Sequence, residues 1–203
     1  TRTTIVNLDV EGAFDNISQD RLVEKIMNEL RINPLRYWLR HFILNRNTII
    51  RYNNFETTLK QVCRGVPQGS SLGPILWNLG INDIDTGILI PKQLDLLCYA
   101  DDLMLIYNGR DNHVLQRGLD MISSALAKID LRINTGKSEG MVIYNHVRDS
   151  VRHDYIIDGY DLKMVQSMVI LGVPITHQLK LNTKYERCIA QLSRNTSKLY
   201  KLN

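Results

Sequence analysis

The sequence has few cysteines and no long apolar run. Its three cysteines, Cys63, Cys98 and Cys188, are odd in number and far apart, which indicates neither a disulfide framework nor a structural zinc site. No apolar stretch approaches the roughly 20 residues that cross a bilayer. The N-terminus has neither a signal-peptide layout nor an initiator methionine. We therefore expect an intracellular protein without a membrane partner, cut from a longer chain.

Charge of one sign is not in large excess either. A net charge of +4 over 203 residues is compatible with a polyanionic partner, but it is also common in proteins that never bind nucleic acid. The five histidines show no metal-ligand spacing and receive no role. An apolar share of 44% with 23% charged residues is typical of a soluble globular domain with a substantial core.

Periodicity and turn residues predict an α+β protein in which helices cover one face of a largely antiparallel sheet and leave the other face free for a ligand. We expect the helix that begins near Pro34 to bury one apolar side, formed by Leu35, Trp38, Leu39, Phe42 and Ile43. The elements expected in chain order are a strand ending at Asp9, a helix capped by Ser18, the helix from Pro34, a hairpin turning near Asn53 and Asn54, a loop over 65–74, a helix, a hairpin around Asp101 and Asp102, a helix over about 112–130, and strands in GMVIY and MVILGVPI.

Two adjacent aspartates, Asp101 and Asp102, interrupt the apolar run CYADDLMLIY. A solvated turn explains such a pair by itself, because Asp hydrogen-bonds its own backbone in turns. Asp9, however, ends another predicted strand, and the sheet could bring it next to Asp101. Such like charges repel one another unless protons or cations neutralise them. Carboxylate oxygens select Mg²⁺ or Mn²⁺, and two such ions about 3.5–4 Å apart promote phosphoryl transfer.

Five segments in this order, LDVEGAFDNI, GVPQGSSLGP, YADD, NTGKS and LGVPI, resemble the palm of a reverse transcriptase, specifically that of non-LTR (LINE-type, Jockey-like) retrotransposons. YADD alone is weakly specific, GVPQGSSLGP is strongly specific, and the five together are more specific still. The resemblance implies a polymerase palm over residues 1–178, the start of a thumb helix over 179–203, and fingers that are mostly missing from the sequence.

The resemblance also implies a metal site. Asp9 and Asp101 match the two metal-binding aspartates of the family, and the Val10 carbonyl matches an additional ligand. Asp102 matches the third acidic residue, which lies beside the metals and is less tightly bound to them. Two divalent ions, Mg²⁺ or Mn²⁺, are therefore the implied cofactors.

Four residues match nucleotide contacts of the family, and one of them is Val10, which also matches a metal ligand. Phe14 matches the aromatic residue that closes the sugar pocket and favours dNTP over rNTP, although ordinary core packing is the alternative. Gln68 and Gly69 lie in the loop that the family places against the nascent base pair. Asp15 follows Phe14 as in LINE-type relatives, but we assign it no metal role, and it could equally cap the following turn.

Further matches concern the leaving group and the primer. Lys137 matches a lysine near the departing pyrophosphate, where an ammonium group stabilises charge or donates a proton; a solvated surface lysine is the alternative. Leu171 and Gly172 match the segment that grips the primer end, although a core strand explains Leu171 equally well. Four basic residues are candidate phosphate contacts, each of which could instead be a solvated charge: Arg46, Arg51, Lys60 and Arg64.

The implied function is that of an RNA-directed DNA polymerase, which extends a DNA primer with dNTPs on an RNA template. We expect it to act as a ribonucleoprotein in the nucleus and cytoplasm, and the sequence does not indicate its oligomeric state. Two alternatives stay open. An RNA-dependent RNA polymerase also has paired aspartates, although Phe14 and GVPQGSS argue against it. A non-catalytic, nucleic-acid-binding transposon remnant is the other, because the fingers and most of the thumb are not in the sequence.

Overall fold

The structure is a computed structural model that describes residues 2–87, 91–143 and 154–178. The helix expected over 179–203 lies outside these residues. The described helices are α1 (Ala13–Asn16), α2 (Gln19–Glu29), α3 (Asn33–Leu44), α4 (Gly73–Gly87) and α5 (Asn112–Lys128). The described strands are β1 (Thr3–Asp9), β2 (Asn47–Thr48), β3 (Arg51–Tyr52), β4 (Phe55–Glu56), β5 (Lys60–Gln61), β6 (Leu94–Tyr99), β7 (Asp102–Asn108), β8 (Glu139–Ile143), β9 (Ile156–Ile157), β10 (Tyr160–Asp161), β11 (Lys163–Met164), β12 (Ser167–Ile170) and β13 (Val173–Thr176).

A central sheet of five strands has the order β11-β8-β1-β7-β6. All neighbouring pairs are antiparallel except β11 and β8, which are parallel. Strand β1 lies in the middle, where it pairs with β7 along its whole length and with β8 from Thr3 to Asn7. The predicted α+β architecture with a largely antiparallel sheet is confirmed.

The alternation along β1 assigns each side chain to one sheet face. Val6 and Leu8 are fully buried in the main core. Ile5 instead belongs to a small second cluster with Met141 and Met168. Asp9 has the parity of Ile5, so its side chain projects to the same face as that cluster and away from the helices. The helices contribute to the main core through Leu22, Ile26, Leu39, Ile43, Leu76, Trp77, Leu115 and Ile122.

Local sequence signals locate most elements correctly. The Ser18 hydroxyl caps α2, and Pro34 lies in the first turn of α3, where its missing N–H costs nothing. The predicted hairpin turn at Asn53 and Asn54 connects β3 and β4, and Asn53 has a φ of +52°. The helix expected over about 112–130 ends at Lys128.

The apolar side expected for α3 is only partly buried. Leu39 and Ile43 are in the core, whereas Leu35 and Trp38 are exposed. The physical reason is that α3 packs mainly on α2, which covers a narrower stripe than the periodicity suggests. No helix in the described part of the chain is long and apolar enough to span a membrane.

Candidate active site

The ends of three adjacent strands bring acidic and aromatic side chains into one row. Asp9 lies directly opposite Asp102, the first residue of β7, and Tyr99 of β6 lies opposite Asp102 on the other side. Directly opposed residues of an antiparallel pair project to the same face. Asp101 belongs to the two-residue turn between β6 and β7, together with Ala100. The residue that faces Asp9 in the register is therefore Asp102, and Asp101 lies at the tip beside it.

The charges of these carboxylates act on one another. The pKa of Asp102 is raised, first by burial of its carboxyl group and then by the negative charges of Asp101 and Asp9. Such mutual repulsion is what a bound cation would relieve.

Within residues 2–87, 91–143 and 154–178, no group of three or more His, Cys, Asp and Glu residues is arranged to hold a metal ion. A cage of that kind is not what Mg²⁺ requires, because it is usually bound by one or two carboxylates together with substrate phosphates and water. Asp9 and Asp102 on neighbouring strands and Asp101 in the adjoining turn offer carboxylate donors of this type. The residues present therefore fit a divalent ion whose coordination is completed by substrate.

The backbone around Asp9 is fixed by the segment that follows α5. Val10 forms an antiparallel bridge with Ile133. The Asp9 carbonyl accepts a hydrogen bond from the Asn134 N–H at 2.8 Å, and the Asp9 N–H donates to the fully buried Ser138 hydroxyl at 3.1 Å. The two backbone hydrogen bonds beside this bridge are accepted by the carbonyls of Asp9 and Arg132. The Val10 carbonyl therefore takes no part in them.

Lys137 extends from the same segment toward Asp9. Its Nζ lies 3.9 Å from Asp9 Oδ2, and 71% of its side chain is exposed. The ammonium group therefore partly offsets the negative charge of the aspartates, although an exposed pair of this kind contributes only about 0–1 kcal/mol. Its role near the leaving group stays a prediction.

A cleft of about 600 Å³ opens beside the turn that carries Asp101. Its walls include Phe14, Gln68 and Gly69, for which the family resemblance implies nucleotide binding, and Asp101, for which it implies metal binding. Residues separated by up to 87 positions in the chain thus meet in one concave surface. The remaining lining residues are Pro67, Ser70, Ser71, Gly73 and Pro74.

Trp77 connects the aromatic wall of this cleft to the aspartate turn. It is 1% exposed, and its ring lies 5.2 Å from that of Phe14 between centroids. Its Nε1–H donates a hydrogen bond of 2.6 Å to the Ala100 carbonyl. Ala100 has a φ of +51°, a conformation that is unfavourable for residues other than glycine. Sequence analysis missed Trp77, because a tryptophan in an apolar helix looks like any core residue.

Gly65 fixes the loop that carries Gln68 against α1. It has a φ of +74°, and a Cβ there would lie 2.6 Å from the carbonyl oxygens of Phe14 and Asp15, so only glycine fits. The Gly65 N–H donates to the Ile17 carbonyl at 2.9 Å, and the Val66 N–H donates to the Phe14 carbonyl at 2.7 Å. Loop and helix therefore form one packed unit.

Two of the four candidate phosphate contacts have intramolecular partners. The Arg46 guanidinium donates to the carbonyls of Arg64 and Gly65; its pKa is lowered by burial, an effect that the nearby Asp15 charge opposes. Arg51 pairs with Glu56 at 2.8 Å. Arg46 thus supports the loop.

Leu171 and Gly172 form the two-residue turn between β12 and β13. Their φ values are +47° and +78°, and Leu171 is 53% exposed. The alternative that Leu171 belongs to a core strand is therefore wrong. An exposed leucine in the left-handed region carries a strain of about 1–2 kcal/mol, and such outliers often mark functional positions.

Solved structures with a similar fold include telomerases. The chain aligns with telomerase from Candida albicans in complex with a fragment of telomeric RNA at a TM-score of 0.64 and 15% identity, covering 90% of this chain and 30% of that one. It aligns with apo telomerase from Candida tropicalis, truncated from its C-terminal domain, at a TM-score of 0.62 and 18% identity, covering 89% and 35%. The chain thus shares the fold of these proteins.

The sequence profile of the reverse transcriptase (RNA-dependent DNA polymerase) family matches residues 1–175, and the chain belongs to this family. The chain is 26% identical over 184 residues to the probable RNA-directed DNA polymerase from transposon BS of Drosophila melanogaster, covering 86% of the chain and 20% of that protein. It is 25% identical over 182 residues to the RNA-directed DNA polymerase from mobile element jockey of the same species, covering 85% and 19%.

The chain therefore spans about a fifth of the length of these curated relatives. The resemblance to reverse transcriptases of non-LTR retrotransposons is confirmed. Reverse transcriptases as a family use divalent metal ions.

Proposed function

We propose that this chain is the catalytic palm of an RNA-directed DNA polymerase, which extends a DNA primer with dNTPs on an RNA template. The observation that carries the proposal is the meeting of Phe14, Gln68 and Asp101 in one cleft, next to the pair formed by Asp9 and Asp102 on the sheet face away from the helices. Membership of the reverse transcriptase family supports the same activity. We place the polymerase in a ribonucleoprotein of the nucleus and cytoplasm.

The proposed metal ligands are the carboxylates of Asp9, Asp101 and Asp102 and the Val10 carbonyl. They would hold two ions, Mg²⁺ or Mn²⁺, which when bound stabilise the attacking and leaving oxygens of phosphoryl transfer. The contribution of the protein is rigidity. Asp9 and Asp102 are fixed in paired strands, and the Asp101 turn is held by the hydrogen bond from Trp77.

The proposed nucleotide site is the cleft itself. The Phe14 ring is braced by Trp77, so it can exclude a 2′-hydroxyl by contact with the sugar and favour dNTP over rNTP. Gln68 offers a side-chain amide for hydrogen bonding near the base pair. Gly69 has a φ of +78° and no atom within 4 Å of a Cβ placed there, so backbone and ligand can approach closely.

Two further roles complete the proposal. Lys137 would leave Asp9 and contact the pyrophosphate when an anionic ligand enters, because its ammonium group is exposed and its present ion pair is weak. Leu171 and Gly172, at the exposed tip of the β12–β13 hairpin, would contact the primer end.

The test is primer extension on an RNA template by the full chain, with Mg²⁺ and with Mn²⁺. We expect Asp9→Asn and Asp101→Asn each to reduce extension by at least about a thousandfold, because each removes a metal-ligand charge at the reacting centre. Asp161→Asn, in the exposed strand β10, controls for the loss of one negative charge. Extension by Asp101→Asn at the control rate would refute the proposal, and a preference for rNTP would favour RNA synthesis instead.

A further inference from the structure

Asp15 is an acidic side chain that lies outside the row of carboxylates on the sheet. It belongs to α1, directly after Phe14, and its side chain is exposed. Its Oδ2 accepts a hydrogen bond of 2.9 Å from Nε2 of Gln68, which lies 53 positions away in the sequence. The metal and nucleotide roles proposed above leave this contact unexplained.

The contact determines which end of the Gln68 amide is available to a ligand. A glutamine side chain has a donating NH₂ group and an accepting oxygen, and rotation about its last bond exchanges them. A carboxylate can only accept, so Asp15 requires the NH₂ group to point toward it. The amide oxygen and the second N–H of Gln68 are then left for a ligand in the cleft.

Helix α1, which carries Asp15, and the loop that carries Gln68 are packed together, so the contact between the two side chains has a fixed geometry. The Asp15 N–H donates to the Gly12 carbonyl at 2.8 Å. The Asp15 carbonyl oxygen lies where a Cβ on Gly65 would collide with it. The charge of Asp15 also acts on the guanidinium of Arg46, which holds the Gly65 carbonyl. The Asp15 backbone is thus packed against the loop that carries Gln68, and its side chain is hydrogen-bonded to that loop.

We propose that Asp15 is a positioning residue that fixes the rotamer and the amide orientation of Gln68 for the incoming nucleotide. The proposal rests on the proposed polymerase function, because it assigns Gln68 to the nucleotide site. A charge-assisted hydrogen bond is about twice as strong as a neutral one. Without the hydrogen bond to Asp15, the Gln68 amide can rotate. Part of the binding free energy of each nucleotide is then spent on ordering this amide.

Steady-state primer extension with varied dNTP concentration tests the functional part. We expect Asp15→Leu, which removes the acceptor but keeps the branching and the number of side-chain heavy atoms, to raise the KM for dNTP about tenfold. This corresponds to the loss of about one hydrogen bond, and kcat should change less than threefold. Asp15→Asn keeps an accepting oxygen but has no charge and can also donate, so its KM should lie between those of the wild type and Asp15→Leu. Gln68→Leu should raise KM at least as much, and the double variant should show no further increase, because the two side chains act as one unit. Additive effects would overturn the proposal.

A second measurement is independent of activity. The side-chain NH₂ signal of Gln68 in a ¹⁵N–¹H NMR spectrum is identified by its loss in Gln68→Leu. In the wild-type chain we expect one of its protons to be shifted and protected by the carboxylate, and in Asp15→Leu both should resemble a free amide. Asp20→Leu, at an exposed aspartate of α2, is the matched control. An unchanged Gln68 signal in Asp15→Leu would overturn the proposal. If the signal does change in Asp15→Leu but the wild-type chain extends no primer, only the polymerase function is refuted.

Discussion

Replacement of Trp77 by phenylalanine tests how the core is coupled to the aspartate turn. Trp77 is almost fully buried, contacts Phe14, and donates its indole N–H to the Ala100 carbonyl. Phenylalanine keeps one aromatic ring in the core but has no donor and three fewer side-chain heavy atoms. The substitution therefore removes one hydrogen bond and leaves a small cavity.

The expected loss of stability follows from these two changes. Two lost carbon atoms at about 0.8 kcal/mol each give about 1.6 kcal/mol. The hydrogen bond adds about 1 kcal/mol, because the exposed Ala100 can bind water instead. The sum is about 2.5 kcal/mol, which corresponds to a decrease in Tm of about 5–10 °C for a domain of this size.

The consequence for the site is separable from the loss of stability. Ala100 adopts a φ of +51°, which costs about 1–2 kcal/mol for a residue other than glycine, and the Trp77 bond opposes its relaxation. Without this bond the turn should shift and displace Asp101. We expect kcat for primer extension to fall about tenfold or more at a temperature well below unfolding, since small misplacements of reacting groups are costly.

The chain has two tryptophans, and this supplies the control. Trp38→Phe removes a ring that is 53% exposed and leaves Trp77 as the sole tryptophan, whose emission should be that of a buried indole until the protein unfolds in urea. Trp77→Phe leaves Trp38 instead. Equal free energies of unfolding and equal kcat values for the two variants would refute the coupling of Trp77 to the turn that carries Asp101.

Two further predictions concern the sheet face and the hairpin. Burial and the neighbouring carboxylates raise the pKa of Asp102, so its ionisation opposes folding as pH rises. In the absence of divalent ions, Asp102→Asn should therefore be more stable than the wild type at pH 7. The difference in stability should shrink as pH falls toward about 4. Urea unfolding across this range, with Asp161→Asn as the charge control, checks the sign, and a constant difference would contradict it. Leu171→Asn should stabilise the chain by about 1 kcal/mol, because Asn-Gly is favoured where both φ values are positive. If Leu171 contacts the primer, the same substitution should raise the KM for primer. A stabilised variant with an unchanged KM would exclude that contact.

Much of the fold follows from short-range patterns. The alternation before Asp9, the Ser18 cap and the turn at Asn53 and Asn54 each depend on residues within one element, and each prediction is confirmed. The single strand expected in MVILGVPI is wrong, because the segment turns back as the β12–β13 hairpin at Leu171 and Gly172, which have positive φ. The exposure of Trp38 could not be predicted either, since it depends on how much of α3 its neighbour covers.

The candidate site, like the fold, was only partly predictable from the sequence. The sequence indicated the aspartates, Phe14 and Gln68 through their motifs, and the structure brings Phe14, Gln68 and Asp101 to one cleft. The sequence did not indicate the contact of Asp15 with Gln68 or that of Trp77 with Ala100. Both contacts join segments more than 20 positions apart, and each depends on an orientation that only the packed core determines.

The absence of a side chain at Gly65 has a consequence for protein engineering. Because this residue lies directly against the carbonyls of Phe14 and Asp15, the segments 12–16 and 62–69 cannot be exchanged separately between related enzymes without a mismatch where they meet. A chimera that transfers both segments together should keep the donor's sugar selectivity, whereas one that transfers a single segment should lose expression yield first. Directed evolution of substrate range would therefore be more productive if libraries varied these two stretches jointly and left position 65 unchanged.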